Sequence, residues 1–160
     1  MDYILKFYTS WSVILYLIFV LTINTLKLPD YISYAIINNT IMVGILGSII
    51  FWYKKDTIIK HFQGNLDTTK IVIINFLFHL LPMIHAILYS DTFISNSIRS
   101  TNVIIKSLLV INIFTFLYLY SNKFNITDIY FGINTKYLIL LSFLIYLAIV
   151  LLNYKKFVIN

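Results

Sequence analysis

The sequence predicts an all-α fold, an integral membrane bundle of about five transmembrane helices. Three observations carry that prediction: 60% of the 160 residues are hydrophobic, only 11% are charged, and the charges bracket long apolar runs. A soluble domain carries about 25% charged and 45–50% apolar residues, and a small core cannot hide such an excess behind so little polar cover. A soluble enzyme, a disordered chain and a disulfide scaffold are therefore excluded. There is no cysteine, which removes disulfides, thiolate metal ligands and a cysteine nucleophile together. Lys+Arg 12 against Asp+Glu 6 gives a net charge of +6. The basic residues sit beside apolar blocks, the pattern of membrane-flanking anchors rather than of a nucleic-acid face. Abundant Ile, Asn, Tyr, Phe and Lys with scarce Ala share A/T-rich codons, a bias that speaks of an AT-rich genome and not of mechanism.

A helix needs about 20 apolar residues to cross the hydrocarbon core, so the runs between charges mark the spans in order. The first, 7–26, lies between Lys6 and Lys27; the second, 31–53, between Asp30 and Lys54; the third, 71–90, between Lys70 and Asp91. The fourth, 101–122, contains Lys106 near one end, and the fifth, 137–154, lies between Lys136 and Lys155. Residues 1–160 thus read as a single polytopic membrane domain. The first run is too long for the core of a signal peptide and has no small-x-small cleavage site before Lys27, so it reads as a retained helix.

Five spans put the termini on opposite sides. The N-terminal side holds Lys6, Lys54, Lys55, Lys60, Lys70, Lys123 and Lys136, against Lys27, Arg99, Lys106, Lys155 and Lys156 on the other. The positive-inside rule then favours a cytoplasmic N-terminus. Asn125-Ile126-Thr127 is a glycosylation sequon on that N-terminal side, and its modification would invert the orientation. The longest connector, 54–70, reads as an ordinary solvated loop with topogenic charge, the alternative being that its lysines meet anionic lipid head groups.

Candidate chemistry falls to His, Asn, Ser and Thr. At about 1.5 Å per residue, His79 lies roughly 13 Å past Lys70, and Ser12, Ser48, Asn112, Thr115 and Ser142 fall at roughly 9–16 Å from their own flanks. A second layer of Thr22, Asn39, Thr40, His85 and Lys106 lies at roughly 20–25 Å. Lys106 has no acid within its span and is expected to snorkel to the opposite face. Polar residues in lipid turn inward to find partners.

The third span is the most informative. Asn75 and His79 are four apart and share a helix face. Pro82 leaves the carbonyl of Phe78 without its usual donor and opens the helix beside His79, where an imidazole can be held in the tautomer that a general base needs. His85 is six positions on, too far round the helix to clamp one metal with His79, so neither a metal nor a cofactor is expected. Gly44, Gly47 and Ser48 give the second span a small-residue packing face.

Several segments together resemble the androgen-induced family of membrane threonine hydrolases, which cleave esters of hydroxy fatty acids. Tyr8-Thr9-Ser10-Trp11 opens the first span as an aromatic and Ser-Trp open the nucleophile helix there. Val43-Gly44 with Phe51-Trp52-Tyr53 is similar to the next family helix and its exit, and Asp128-Ile129-Tyr130-Phe131 to the aromatic segment before its last span. Asn75 and His79 match the family's Asn and catalytic His. The resemblance covers most of the chain, without one N-terminal family helix. Pro82 follows His79 by three residues where the family has five, and Leu15 stands where the nucleophilic Thr would be.

The resemblance implies hydrolysis of a lipid ester within the bilayer, the substrate entering sideways from the membrane lipids. The expected catalytic residues are His79 as base, Asn75 or Asn112 to orient it or to donate to an oxyanion, and Ser12 or Thr115 as nucleophile. Two alternatives stay open: a non-enzymatic structural subunit or pseudo-enzyme, and an ion-conducting homo-oligomer. The last is disfavoured, because no span carries an acidic ring residue or a filter-like loop.

Overall fold

In the computed structural model, residues 7–26, 28–62, 67–93 and 101–159 are described, with side chains for all of these but 91–93 and 153–159. Lys6, Lys27 and Arg99, and the side chains of Lys155 and Lys156, which the orientation argument uses, lie outside that set. The described residues form α-helices joined by turns, with no strand among them.

Helix α1 (Tyr8–Thr22) has 15 residues, about 22 Å, shorter than the roughly 30 Å hydrocarbon core. It stops early because Thr22 starts a polar turn. Thr25 and Leu26 donate their N–H groups to the Thr22 carbonyl, and the Thr22 hydroxyl bonds the Ile18 carbonyl. Helix α2 (Asp30–Tyr53) follows Pro29 and carries Asp30 in its first turn, where a negative charge suits the positive end of the helix dipole. After Lys54 comes α3 (Lys55–Phe62), so the expected loop 54–70 contains a short helix. Its Ile58 is buried with Phe51 and Ile71, while Lys60 and His61 face outward.

The third span begins with α4 (Thr68–Asn75), capped by Asp67. It passes through a wide π-turn at Phe76–Leu80 and continues as α5 (Leu81–Phe93). Helices α6 (Thr101–Ser121) and α7 (Thr135–Ile159) complete the chain. The stretches Asp30–Tyr53, Thr68–Ser90, Thr101–Ser121 and Thr135–Leu152 are each long and apolar enough to cross a membrane.

The bundle is organised around α2, which touches α1, α5, α6 and α7. Every residue from Ser33 to Gly44 is buried. Gly44 allows the closest approach: a Cβ there would stand 2.5 Å from Met83 Cβ and 2.8 Å from the His79 carbonyl oxygen. Leucines and isoleucines such as Leu17, Ile18, Leu109, Ile113, Leu140 and Leu144 face outward. In water such a surface would aggregate; in a bilayer it is what lipid tails cover. The chain has the build of an integral membrane protein.

Candidate active site

At one end of the bundle the start of α1, the last turns of α2, the first half of the third span, α3 and the connector 122–134 enclose a cavity of about 210 Å³. Most of its wall is Phe and Ile side chains, and Thr9, Ser10, Asn75, His79 and Tyr130 also line it.

His79 stands on the π-turn. Pro82 has no N–H, and just before it the Leu81 N–H reaches back five residues to the Phe76 carbonyl. A π-turn of this kind recurs at functional positions in helices. The His79 Nδ1 lies 3.2 Å from the carbonyl oxygen of Asn75. A carbonyl can only accept, so Nδ1 carries the proton and Nε2 of the neutral ring presents its lone pair. That lone pair faces the Thr9 hydroxyl, with Nε2 and Oγ1 3.1 Å apart, so Thr9 donates. The pair has the form of a base holding the proton of an alcohol.

Gly47 makes room for the ring. A Cβ at that position would fall on the Cδ2, Nε2 and Cγ atoms of His79. From the sequence Gly47 signals only helix packing; in the structure it fixes where the imidazole can lie.

The start of α1 is held just as firmly. The Tyr8 N–H donates to the Tyr130 hydroxyl at 3.0 Å. Burial, with Tyr118 beside it, raises the Tyr130 phenol well above its ordinary pKa, so it stays a neutral partner. The rings of Tyr8 and Trp11 meet Tyr118 edge-on, with centroids 5.0 and 5.8 Å apart. The N–H groups of Ser10 and Trp11 go to the Phe7 carbonyl.

The residues picked from the sequence separate into three groups. His79 and Asn75 share the cavity, the Asn75 carbonyl orienting the ring. Ser12 and Thr115 belong to a different cluster. Asn39 Nδ2 donates to Ser12 Oγ at 2.9 Å, the Tyr8 hydroxyl donates to Asn39 Oδ1 at 3.0 Å, and Thr115 lies 3.1 Å from that hydroxyl. Neither Ser12 nor Thr115 is among the residues lining the cavity. Asn112 is exposed and donates to the Leu108 carbonyl of its own helix. Ser48 and Ser142 likewise bond carbonyls of their own turns.

In the deeper layer, His85 Nδ1 pairs with the Tyr16 hydroxyl at 2.6 Å. Lys106 is exposed, its ammonium 5.6 Å from the centroid of the Tyr31 ring. No group of three or more His and Asp side chains among the described residues is placed to hold a metal ion.

Thr9 is the residue that sequence reasoning missed. Counted from Lys6, it sits only about 4.5 Å along its helix, against roughly 13 Å for His79 counted from Lys70. Thr9 and His79 nevertheless meet, so residue counts from the flanking charges do not measure a common depth.

Comparison with protein-family models, with curated proteins and with solved structures gives no match.

Proposed function

We propose that the protein hydrolyses esters of lipids from within the bilayer, with Thr9 as nucleophile and His79 as base. One observation carries this: the Thr9 hydroxyl lies 3.1 Å from His79 Nε2, on the wall of a mostly apolar cavity. The threonine hydrolase family that the chain resembles supplies the same pair of residue types. Here Thr9 fills the role that the empty position at Leu15 leaves open.

The steps balance with water as the only co-reactant. Thr9 Oγ1 bonds to the ester carbonyl carbon as its proton passes to His79 Nε2. The carbon–oxygen bond to the alcohol then breaks, and the leaving oxygen takes that proton. Water attacks the acyl-threonine, gives a proton to His79, and the acid leaves as Thr9 recovers its own proton. The negative oxygen of each tetrahedral intermediate needs donors, and Asn75 lines the same cavity as the pair.

The test is hydrolysis of a chromogenic acyl ester by detergent-purified protein. Thr9→Val and His79→Ala are each expected to lower turnover by about 10²–10⁴-fold, the range for loss of a positioned base or its partner. Unchanged turnover in both, with folded protein, would reject the assignment.

A further inference from the structure

The cavity also bears on which esters can enter it. Around the Thr9–His79 pair the wall is built by Ile50, Phe51, Ile58, Ile71, Phe78 and Phe131, and no charged side chain of the described residues lines it. Three of the lysines at this end of the bundle are engaged elsewhere. Lys54 and Lys55 lie over the rings of Tyr53 and Trp52, each 5.2 Å from the centroid, and Lys70 pairs with Asp67 at 3.4 Å. A carboxylate or phosphate inside this cavity would lose its water and find no counter-charge, and burying an unpaired charge is costly.

Phe131 is part of the cavity wall. It is held at φ +54°, in the left-handed region that a bulky residue seldom adopts. Its ring meets those of Phe7, Phe62 and His61 with centroids 5.7 to 6.5 Å apart. At about 210 Å³ the space is below the roughly 300–1,000 Å³ of pockets that enclose a drug-sized ligand. It therefore takes one arm of an ester, the other staying among the lipid tails.

We infer that the acyl arm of the substrate enters this cavity and is uncharged, and that esters bearing an anionic group on that arm are rejected. The inference rests on the hydrolase assignment above and narrows it.

The test compares 4-nitrophenyl hexanoate with the mono-4-nitrophenyl ester of adipic acid, which has the same chain length and a terminal carboxylate. Rates in detergent are corrected by those of Thr9→Val. The expected kcat/KM ratio is about 100 or more in favour of the hexanoate. Ile74, exposed on the edge of the cavity, supplies the second arm: Ile74→Lys should lower that ratio by about tenfold, and partition into the micelle is common to both proteins. A wild-type ratio near one, or a ratio that Ile74→Lys leaves unmoved, would overturn the inference while leaving hydrolysis intact. Hydrolysis of neither ester above the Thr9→Val rate, beside an active control hydrolase, would instead overturn the hydrolase assignment and this inference with it.

Discussion

Gly47 and His79 compete for one volume: a Cβ on residue 47 would occupy the place of the imidazole ring. The ring can rotate out of the way about its own side-chain bonds, so the backbone need not move. In Gly47→Ala the ring is expected to swing off Thr9, with reactivity toward ester substrates falling by about 10²-fold or more. Stability should change by no more than the roughly 1–3 kcal/mol of a tolerated overpacking. Turnover and thermal unfolding, measured on the same preparation, separate the two effects.

Pro82 follows the π-turn of the third span closely and has no N–H to offer the Phe78 carbonyl. An alanine there restores an N–H and allows the ordinary i→i−4 bonding to run through Phe76–Leu80. Pro82→Ala should leave the helix as stable or more so, yet turn His79 about the helix axis away from Thr9. The expected signature is an equal or higher unfolding midpoint with turnover reduced, a separation known where strain is kept at a functional position.

The cluster of Ser12, Asn39, Tyr8 and Thr115 has a different role from the cavity, and mutation should separate them. Asn39→Ala removes the donor to Ser12 and the acceptor of Tyr8. Polar contacts between membrane helices average about 0.6 kcal/mol and reach about 1.7, so a loss near the upper value is expected in a detergent unfolding titration. Ser12→Ala should lower stability slightly and leave turnover within about twofold.

Asp67 provides a pH-dependent cap on α4. Its Oδ1 accepts the Lys70 N–H at 2.8 Å, and that backbone bond is the main cause holding the carboxyl below its ordinary pKa. A pKa lowered in the folded state gives stability that is present above the unfolded value of about 3.9 and lost as pH falls through the folded one. Amide exchange at Thr69 and Lys70 should therefore quicken, relative to the ordinary pH trend, below about pH 4. Asp67→Asn keeps a capping oxygen and should abolish that excess.

The all-α membrane architecture was legible because it follows from quantities that any linear sequence displays: apolar run length and the positions of charges. The opening beside His79 was legible for a related reason, since Pro82 acts on a carbonyl at a fixed offset along its own helix. What could not be read was azimuth. Depth along a helix places Asn112, Ser48 and Ser142 level with His79, yet each bonds its own helix, as hydroxyls and short amides often do. Depth likewise placed Asn39 in a deeper layer than Ser12, although the two are hydrogen-bonded. Thr9 was hidden because its residue count from Lys6 is far shorter than that of His79 from Lys70, although the two side chains meet. Gly47 had a visible signal as a small residue, but nothing in the sequence tells which side chain such a gap admits.

The central claim is that the Thr9 hydroxyl is a nucleophile activated by His79. The most direct measurement is covalent labelling of the folded, detergent-purified protein with a fluorophosphonate, the site being mapped by mass spectrometry. The account predicts an adduct on Thr9 Oγ1 that persists in Thr9→Ser, Ser12→Ala and Thr115→Val and disappears in Thr9→Val and His79→Ala. An adduct that survives Thr9→Val, or no adduct on the wild type while a control membrane hydrolase labels in parallel, would contradict it.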